Sequence, residues 1–77
     1  MSLEKLYSLA CQEGYLSPEE CDVIDKQLAL LEPSSIPEEQ VANVADYLVI
    51  RLIMDAALPE VVRALDSLLS KLQSRAH

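Results

Sequence analysis

Residues 37–58 read PEEQVANVADYLVIRLIMDAAL and form the longest apolar stretch of the chain. Placed on a helix, this stretch carries one broad apolar face and a second, narrower apolar stripe. The broad face consists of Val41, Ala45, Leu48, Val49, Leu52, Ile53 and Ala56. The narrow stripe consists of Tyr47, Ile50 and Met54. A helix that is apolar on two sides needs cover on both, so the stretch is predicted to be the central helix of an all-helical domain or part of an interface.

Length and composition favour one small helical domain over residues 1–77. A chain of 77 residues is near the lower limit for a self-sufficient core. With three Tyr and no Phe or Trp, the core must be built from Leu, Val, Ile and Ala, and the single Gly argues against a loop-rich or hairpin fold. We expect an all-α, four-helix bundle-like domain that associates as a homodimer, with three helices if the third and fourth are continuous.

Local signals place the first two helices. Helix 1 is expected over residues 3–13, with Ser2 as its N-cap and Gly14 just past its end. The run Ser17-Pro18-Glu19-Glu20 predicts a capping box at the start of helix 2, which should end near Leu31, before Pro33.

The same signals place the last two helices. Ser35 and Glu38 fit a second capping box at the start of the central helix. Pro59 disfavours helix at the residue before it, so a break or a sharp kink is expected there, and a continuous bent helix is the alternative. Helix 4 is expected over residues 60–75, with one clean apolar arc of Val61, Val62, Leu65, Leu68, Leu69 and Leu72.

More apolar surface is present than four short helices can cover, which favours a protein-interaction module. Helix 2 has a main stripe of Cys21, Ile24, Leu28 and Leu31, and a second stripe on its opposite side, Val23 and Leu30. The predicted interface residues are Tyr47, Ile50, Met54, Val23 and Leu30. Arg51 and Asp55, four residues apart on the central helix, are expected to pair, either as a partly exposed ion pair or as a polar contact that sets register in an interface.

The charge is uneven, and this suggests an alternative function. The net charge of −7 comes from residues 1–39, with nine acids and two bases, while residues 40–77 are balanced. An acidic half repels phosphate and argues against direct nucleic-acid binding. The alternative is an acidic decoy or antitoxin-like inhibitor of a basic protein, acting through Glu13, Glu19, Glu20, Asp22 and Asp25; a solvated face is the simpler interpretation of these residues.

A third interpretation rests on three residues. Asp66-Ser67-Leu68 resembles the tripeptide that carries phosphopantetheine in acyl carrier proteins, and the resemblance implies modification at Ser67. In that family the serine begins a helix near mid-chain, whereas Ser67 falls inside helix 4 on its polar face. A solvated serine is therefore the preferred interpretation.

The remaining residues offer little chemistry. Cys11 and Cys21 are expected as buried thiols, with a disulfide as the alternative, and His77 lacks partners for catalysis or metal binding. We therefore expect no enzyme activity, no cofactor, no metal and no small-molecule substrate. Without a basic and apolar leader the chain is expected in the cytoplasm, and the apolar run at 47–54 is too short to span a membrane.

Overall fold

The computed structural model describes residues 3–12 and 15–75, and these form four α-helices with no strand among them. The helices are α1 (Leu3–Ala10), α2 (Pro18–Ala29), α3 (Glu38–Ile53) and α4 (Pro59–Arg75), with a short 3-10 helix (Pro33–Ser35) between α2 and α3. The all-α fold and the count of four helices are thus confirmed. The expected positions of Ser2, Glu13, Gly14 and His77 lie outside the described residues.

The helices occupy the corners of a small bundle. α1 packs on α2 and on α3, and α4 packs on the same two helices. The backbones of α2 and α3 come close at few points, so these two helices face each other diagonally across the bundle. Between the helices lies one hydrophobic cluster made of Leu6, Tyr7, Ala10, Ile24, Leu28, Ile36, Val41, Val44, Tyr47, Leu48, Ala57, Val61, Leu65, Leu68 and Leu72.

The start of α2 follows the predicted capping box. The Ser17 hydroxyl accepts a hydrogen bond from the Glu20 backbone N–H at 3.2 Å, and the Glu20 carboxylate accepts one from the Ser17 N–H at 3.2 Å. Two backbone donors that the first turn cannot satisfy internally are therefore bonded. α2 then buries Cys21, Ile24 and Leu28, as its main stripe predicts.

The second predicted capping box is wrong. The Ser35 hydroxyl donates to the Glu32 carbonyl at 2.7 Å, within the turn that forms the 3-10 helix, and Pro37 takes the N-cap position of α3 without a side-chain hydrogen bond. The far end of α4 holds this segment instead, because the Arg75 guanidinium donates to the carbonyls of Pro33 and Ile36.

The central helix ends five residues before the predicted residue 58. Its last turn closes with two hydrogen bonds outside the helical pattern. The Ala56 N–H donates to the Arg51 carbonyl at 3.0 Å, and the Asp55 N–H donates to the Leu52 carbonyl at 3.2 Å. These bonds define a Schellman motif, which places Asp55 in the left-handed region at φ 52°. The predicted break before Pro59 is confirmed, but the left-handed turn at Asp55 ends α3, well before the proline.

The buried side of α3 also differs from the expected face. Its buried residues are Val41, Val44, Tyr47, Leu48 and Arg51. Ile53 was expected on the broad buried face, yet its side chain is 78% exposed. The helix is thus rotated relative to the prediction, so that Tyr47 and Arg51 point inward. α4 matches its prediction, with Val61, Leu65, Leu68 and Leu72 buried.

Asp55→Gly should stabilise the chain by about 0.5–1 kcal/mol, because glycine adopts the left-handed conformation without steric cost. The substitution also removes a negative charge from the C-terminal end of a helix, where the dipole disfavours it. Thermal or urea denaturation measures the change, and Asp55→Asn separates the charge effect from the conformational one. The matched control is Ala42→Gly in the exposed interior of α3, which should destabilise by about 1 kcal/mol. Equal losses in both glycine variants would contradict the assignment.

Candidate functional site

A buried polar network links the diagonal helices α2 and α3. Asp25 of α2 is fully buried, and both its carboxylate oxygens are bonded. Oδ1 accepts from the Tyr47 hydroxyl at 2.6 Å, and Oδ2 accepts from Arg51 Nη2 at 2.7 Å and Nε at 3.1 Å. The Tyr47 hydroxyl is also 3.2 Å from the Cys21 carbonyl oxygen. Long polar side chains from α3 therefore span the gap that the two backbones leave.

Burial and mutual charge set the ionisation of this network. Burial raises the pKa of the Tyr47 phenol, and the hydrogen bond to Asp25 and its charge raise it further. For Arg51, burial by itself lowers the pKa, but the hydrogen bonds and charge of Asp25 outweigh it and raise the pKa above the ordinary value. The native state therefore holds Tyr47 neutral and Arg51 charged.

Arg51 also fixes the loop that follows α3. Its Nη2 donates to the Ala56 carbonyl at 3.1 Å, while its backbone carbonyl accepts from the Ala56 N–H. The same Nη2 lies 3.4 Å from Asp22 Oδ1, a longer and weaker contact. One arginine therefore joins Asp25, the loop and the edge of α2.

An apolar groove opens beside this network, where α2 begins, α3 ends and α4 begins. It has a volume of about 520 Å³, within the range of natural ligand pockets. Cys21, Asp22 and Arg51 contribute to its wall. The remaining lining residues are Leu16, Pro18, Ile50, Met54, Ala56 and Leu58.

Large apolar side chains are exposed at this groove. Met54 is 71% exposed and Ile50 is 37% exposed. Ile53, one residue before Met54, is also exposed but does not line the groove. We call the lining of this cavity the end groove. It is a surface on which a partner could remove apolar area from water.

The predicted narrow stripe is only partly at this surface. Tyr47 was expected on an uncovered stripe with Ile50 and Met54, and this is wrong, because its ring is fully buried and its hydroxyl is bonded to Asp25. The interface role of Ile50 and Met54 stays a prediction. The expected ion pair of Arg51 with Asp55 is also wrong: Arg51 turns inward to Asp25, and Asp55 lies beyond the end of α3.

The second stripe is on the outside of α2. Val23 is 48% exposed and Leu30 is 81% exposed, as expected for a side that faces away from the core. Neither residue lines the end groove. The two apolar surfaces that the sequence predicted therefore lie at separate places on the molecule.

The predicted acidic surface is smaller than expected. Asp25 was assigned to it wrongly, because its carboxylate is buried and compensated by Arg51. Glu19 and Glu20 are exposed in the first turn of α2, and the Asp22 side chain is 34% exposed. Glu13 lies outside the described residues.

The remaining candidate residues are dispersed. Ser67 is exposed in the interior of α4, eight residues after its start, unlike the helix-start serine of acyl carrier proteins. Both cysteines are free; Cys21 is buried as expected, whereas Cys11 is exposed, contrary to expectation.

Among the described residues, no group of three His, Cys, Asp or Glu side chains is placed to hold a metal ion. None of the helices in that part of the chain combines the length and apolarity needed to cross a bilayer.

The sequence prediction missed the pairing of Asp25 with Arg51, although the positions of these residues on the helices indicate it. Asp25 lies on the same arc of α2 as Cys21, Ile24 and Leu28, and Arg51 lies one turn after Tyr47 and Leu48. An acid on one apolar arc and a base on another indicate a buried ion pair, since a single charge would be too costly to bury. The sequence prediction instead paired Arg51 with Asp55, the nearest acid along the chain, and so missed the pairing with Asp25.

The fold and the groove together define a small all-α domain of four helices, with a buried ion pair beside an exposed apolar groove. Comparisons with known proteins add no relative: no family model matches the chain, and no curated protein or solved structure is significantly similar to it.

Asp25→Asn should destabilise the fold by about 3 kcal/mol, because it leaves the buried Arg51 charge with only the longer 3.4 Å contact to Asp22 as compensation. Chemical denaturation measures the loss. The control Asp46→Asn, on the exposed side of α3, should change stability by less than about 0.5 kcal/mol. Adding Arg51→Met to Asp25→Asn should recover part of the loss, whereas additive losses would contradict a coupled pair.

The chain should lose stability as pH rises above about 10, because the native state raises the Tyr47 pKa and the unfolded state releases that proton first. The contribution is complete below that pH and declines above it. In Tyr47→Phe the alkaline decline should be smaller, as measured by urea denaturation across a pH series. The matched variant is Tyr7→Phe: burial also raises the Tyr7 pKa, but its hydroxyl has no hydrogen bond within the described chain, so at neutral pH only Tyr47→Phe should destabilise. An identical alkaline decline in Tyr47→Phe and the parent chain would contradict the assignment.

Proposed function

We propose that this chain is a non-enzymatic, cytoplasmic protein-interaction module that binds a partner helix in its end groove. The observation that carries the proposal is the exposure of Met54 and Ile50 on the wall of an apolar groove. Fully burying side chains of this size contributes about 1.5–3 kcal/mol each. A groove between helix ends, with apolar residues along it, is the kind of surface that accepts the apolar face of an amphipathic helix.

The network supports this role by keeping the groove in shape. Both oxygens of Asp25 are occupied by Tyr47 and Arg51, and Arg51 in turn holds the loop at Ala56. Met54 and Leu58, at the two ends of that loop, line the groove. A groove whose walls are held before binding loses less conformational entropy when a partner enters. The polar side chains thus act as a scaffold for the apolar contact surface.

A second candidate function is self-association through the outer side of α2. Leu30 is the C-cap residue of α2 and follows Val23 by seven residues, which places the two on the same side of the helix. A self-complementary apolar stripe is buried most simply in a two-fold dimer. In this case the homodimer would leave the end groove free for a different protein.

Met54→Asp should abolish partner binding at the end groove, whereas Leu30→Asp should leave it unchanged and instead weaken any homodimer. Affinity capture from native lysate with the full chain measures the first effect, and analytical ultracentrifugation measures the second. Both positions are exposed, so circular dichroism should show a folded helical chain in each variant.

The informative result is a captured protein that the parent chain and Leu30→Asp retain and Met54→Asp loses. If Met54→Asp retains every captured protein, the end groove is not the binding surface. If the parent chain is monomeric at high concentration, the α2 stripe does not form a homodimer.

A further inference from the structure

The geometry points to a basic amphipathic helix as the occupant of the end groove, with Lys or Arg side chains that meet an acidic rim beside Asp22. This inference rests on the proposed function and adds the charge of the partner to it. It follows from which charges near the groove are already compensated and which are not.

Asp25 and Arg51 compensate each other. Arg51 donates to the Asp25 carboxylate at 2.7 and 3.1 Å, closer than to Asp22, and the Arg51 side chain is only 10% exposed. Its positive charge is therefore directed into the bundle and does little to attract an acidic ligand. A partner that approaches the groove meets the charges that remain at the edge.

Asp22 is the acid on the wall of the groove that remains open to a partner. One of its oxygens makes the single long contact with Arg51, at 3.4 Å, and within the described residues the other oxygen makes no hydrogen bond. A carboxylate has room for several donors on its two oxygens. Its side chain is 34% exposed, so an incoming cation can reach it without displacing the closer Arg51–Asp25 contacts.

Further acids lie next to the groove. Glu19 is exposed one helical turn before Asp22, and Asp55 is exposed directly after Met54. Lys26, the basic residue of α2, is exposed one turn beyond Asp22; like Glu19 and Asp55, it does not line the groove. Glu19 and Asp55 outnumber Lys26 there, so together with Asp22 the edge of the groove carries a net negative charge.

This charge pattern disfavours a second copy of the chain as the occupant. A second copy seated in the groove would place another chain of net charge −7 against the acidic rim. Like charges across an interface oppose association, and added salt relieves this opposition. A basic partner behaves in the opposite way, because salt screens its attraction to the rim. The direction of the salt effect therefore identifies the occupant.

The test uses the full chain and three synthetic helical peptides with leucines at i, i+3 and i+7. The flanking positions carry Lys in one peptide, Gln in the second and Glu in the third. Fluorescence anisotropy gives the affinities, and backbone-amide NMR spectra locate the binding site. The Lys peptide should bind at least about tenfold more tightly than the Glu peptide, shift amide signals of the groove residues, and lose affinity as salt is added.

Two variants assign the effect to the rim. Asp22→Asn should weaken binding of the Lys peptide by about two- to fivefold and leave the Gln peptide unchanged. Asp66→Asn, an equal change of charge on the exposed side of α4, should affect neither peptide. Met54→Ala, which removes apolar area without adding charge, should weaken the Lys and Gln peptides alike, because it disrupts the apolar floor.

The outcomes separate this inference from the proposed function. If all three peptides bind equally and Met54→Ala weakens each, the groove binds helices but the basic partner is excluded. If no peptide binds, or if the chain dimerises through the groove more tightly with added salt, the basic helix is overturned as the occupant. If Met54→Asp captures the same proteins from lysate as the parent chain, the proposed function itself is overturned, whatever the peptides do.

Discussion

The hydrogen-bonded ion pair of Asp25 and Arg51 is the interaction on which the arrangement of this bundle depends. It joins α2 and α3, which are diagonal to each other and have little backbone contact. Burying either charge alone would cost several kcal/mol, so each residue makes the buried position of the other tolerable. Tyr47 satisfies the remaining oxygen of Asp25. The three side chains therefore act as one unit, and they determine which side of α3 faces the core.

This rotation of α3 has a direct consequence for the surface. Because Tyr47 and Arg51 point inward, Ile53 and Met54 are turned outward, and Ile50 is left at the edge of the groove. The left-handed residue Asp55 ends the helix at this place, and Arg51 holds the loop that follows. The orientation of α3 thus sets both its buried side and its exposed apolar side. For the same reason the proposed binding site is adjacent to the network.

The pairing of Asp25 with Arg51 changes which acids contribute to the charged surface. Asp25 belongs to the interior, and the acids that a partner can meet are those at the start of α2 and beside the groove. The apolar interface and the acidic surface were separate hypotheses in the sequence. In the structure Asp22 lies on the wall of the end groove, so one partner with an apolar and basic helix would satisfy both.

Local sequence determined much of the fold. The capping box at Ser17 and Glu20, the stripe of α2, the arc of α4 and the break before Pro59 all depend on neighbours within one or two helical turns, so each could be predicted from spacing alone. The rotation of α3 could not, because two apolar sides of similar strength competed and the decision came from Asp25, 26 residues from Arg51 along the chain. The end of α3 depended on a left-handed Asp where glycine is usual. The end groove likewise required tertiary structure, since its walls come from α2, α3 and the connecting segments beside them, which only packing brings together.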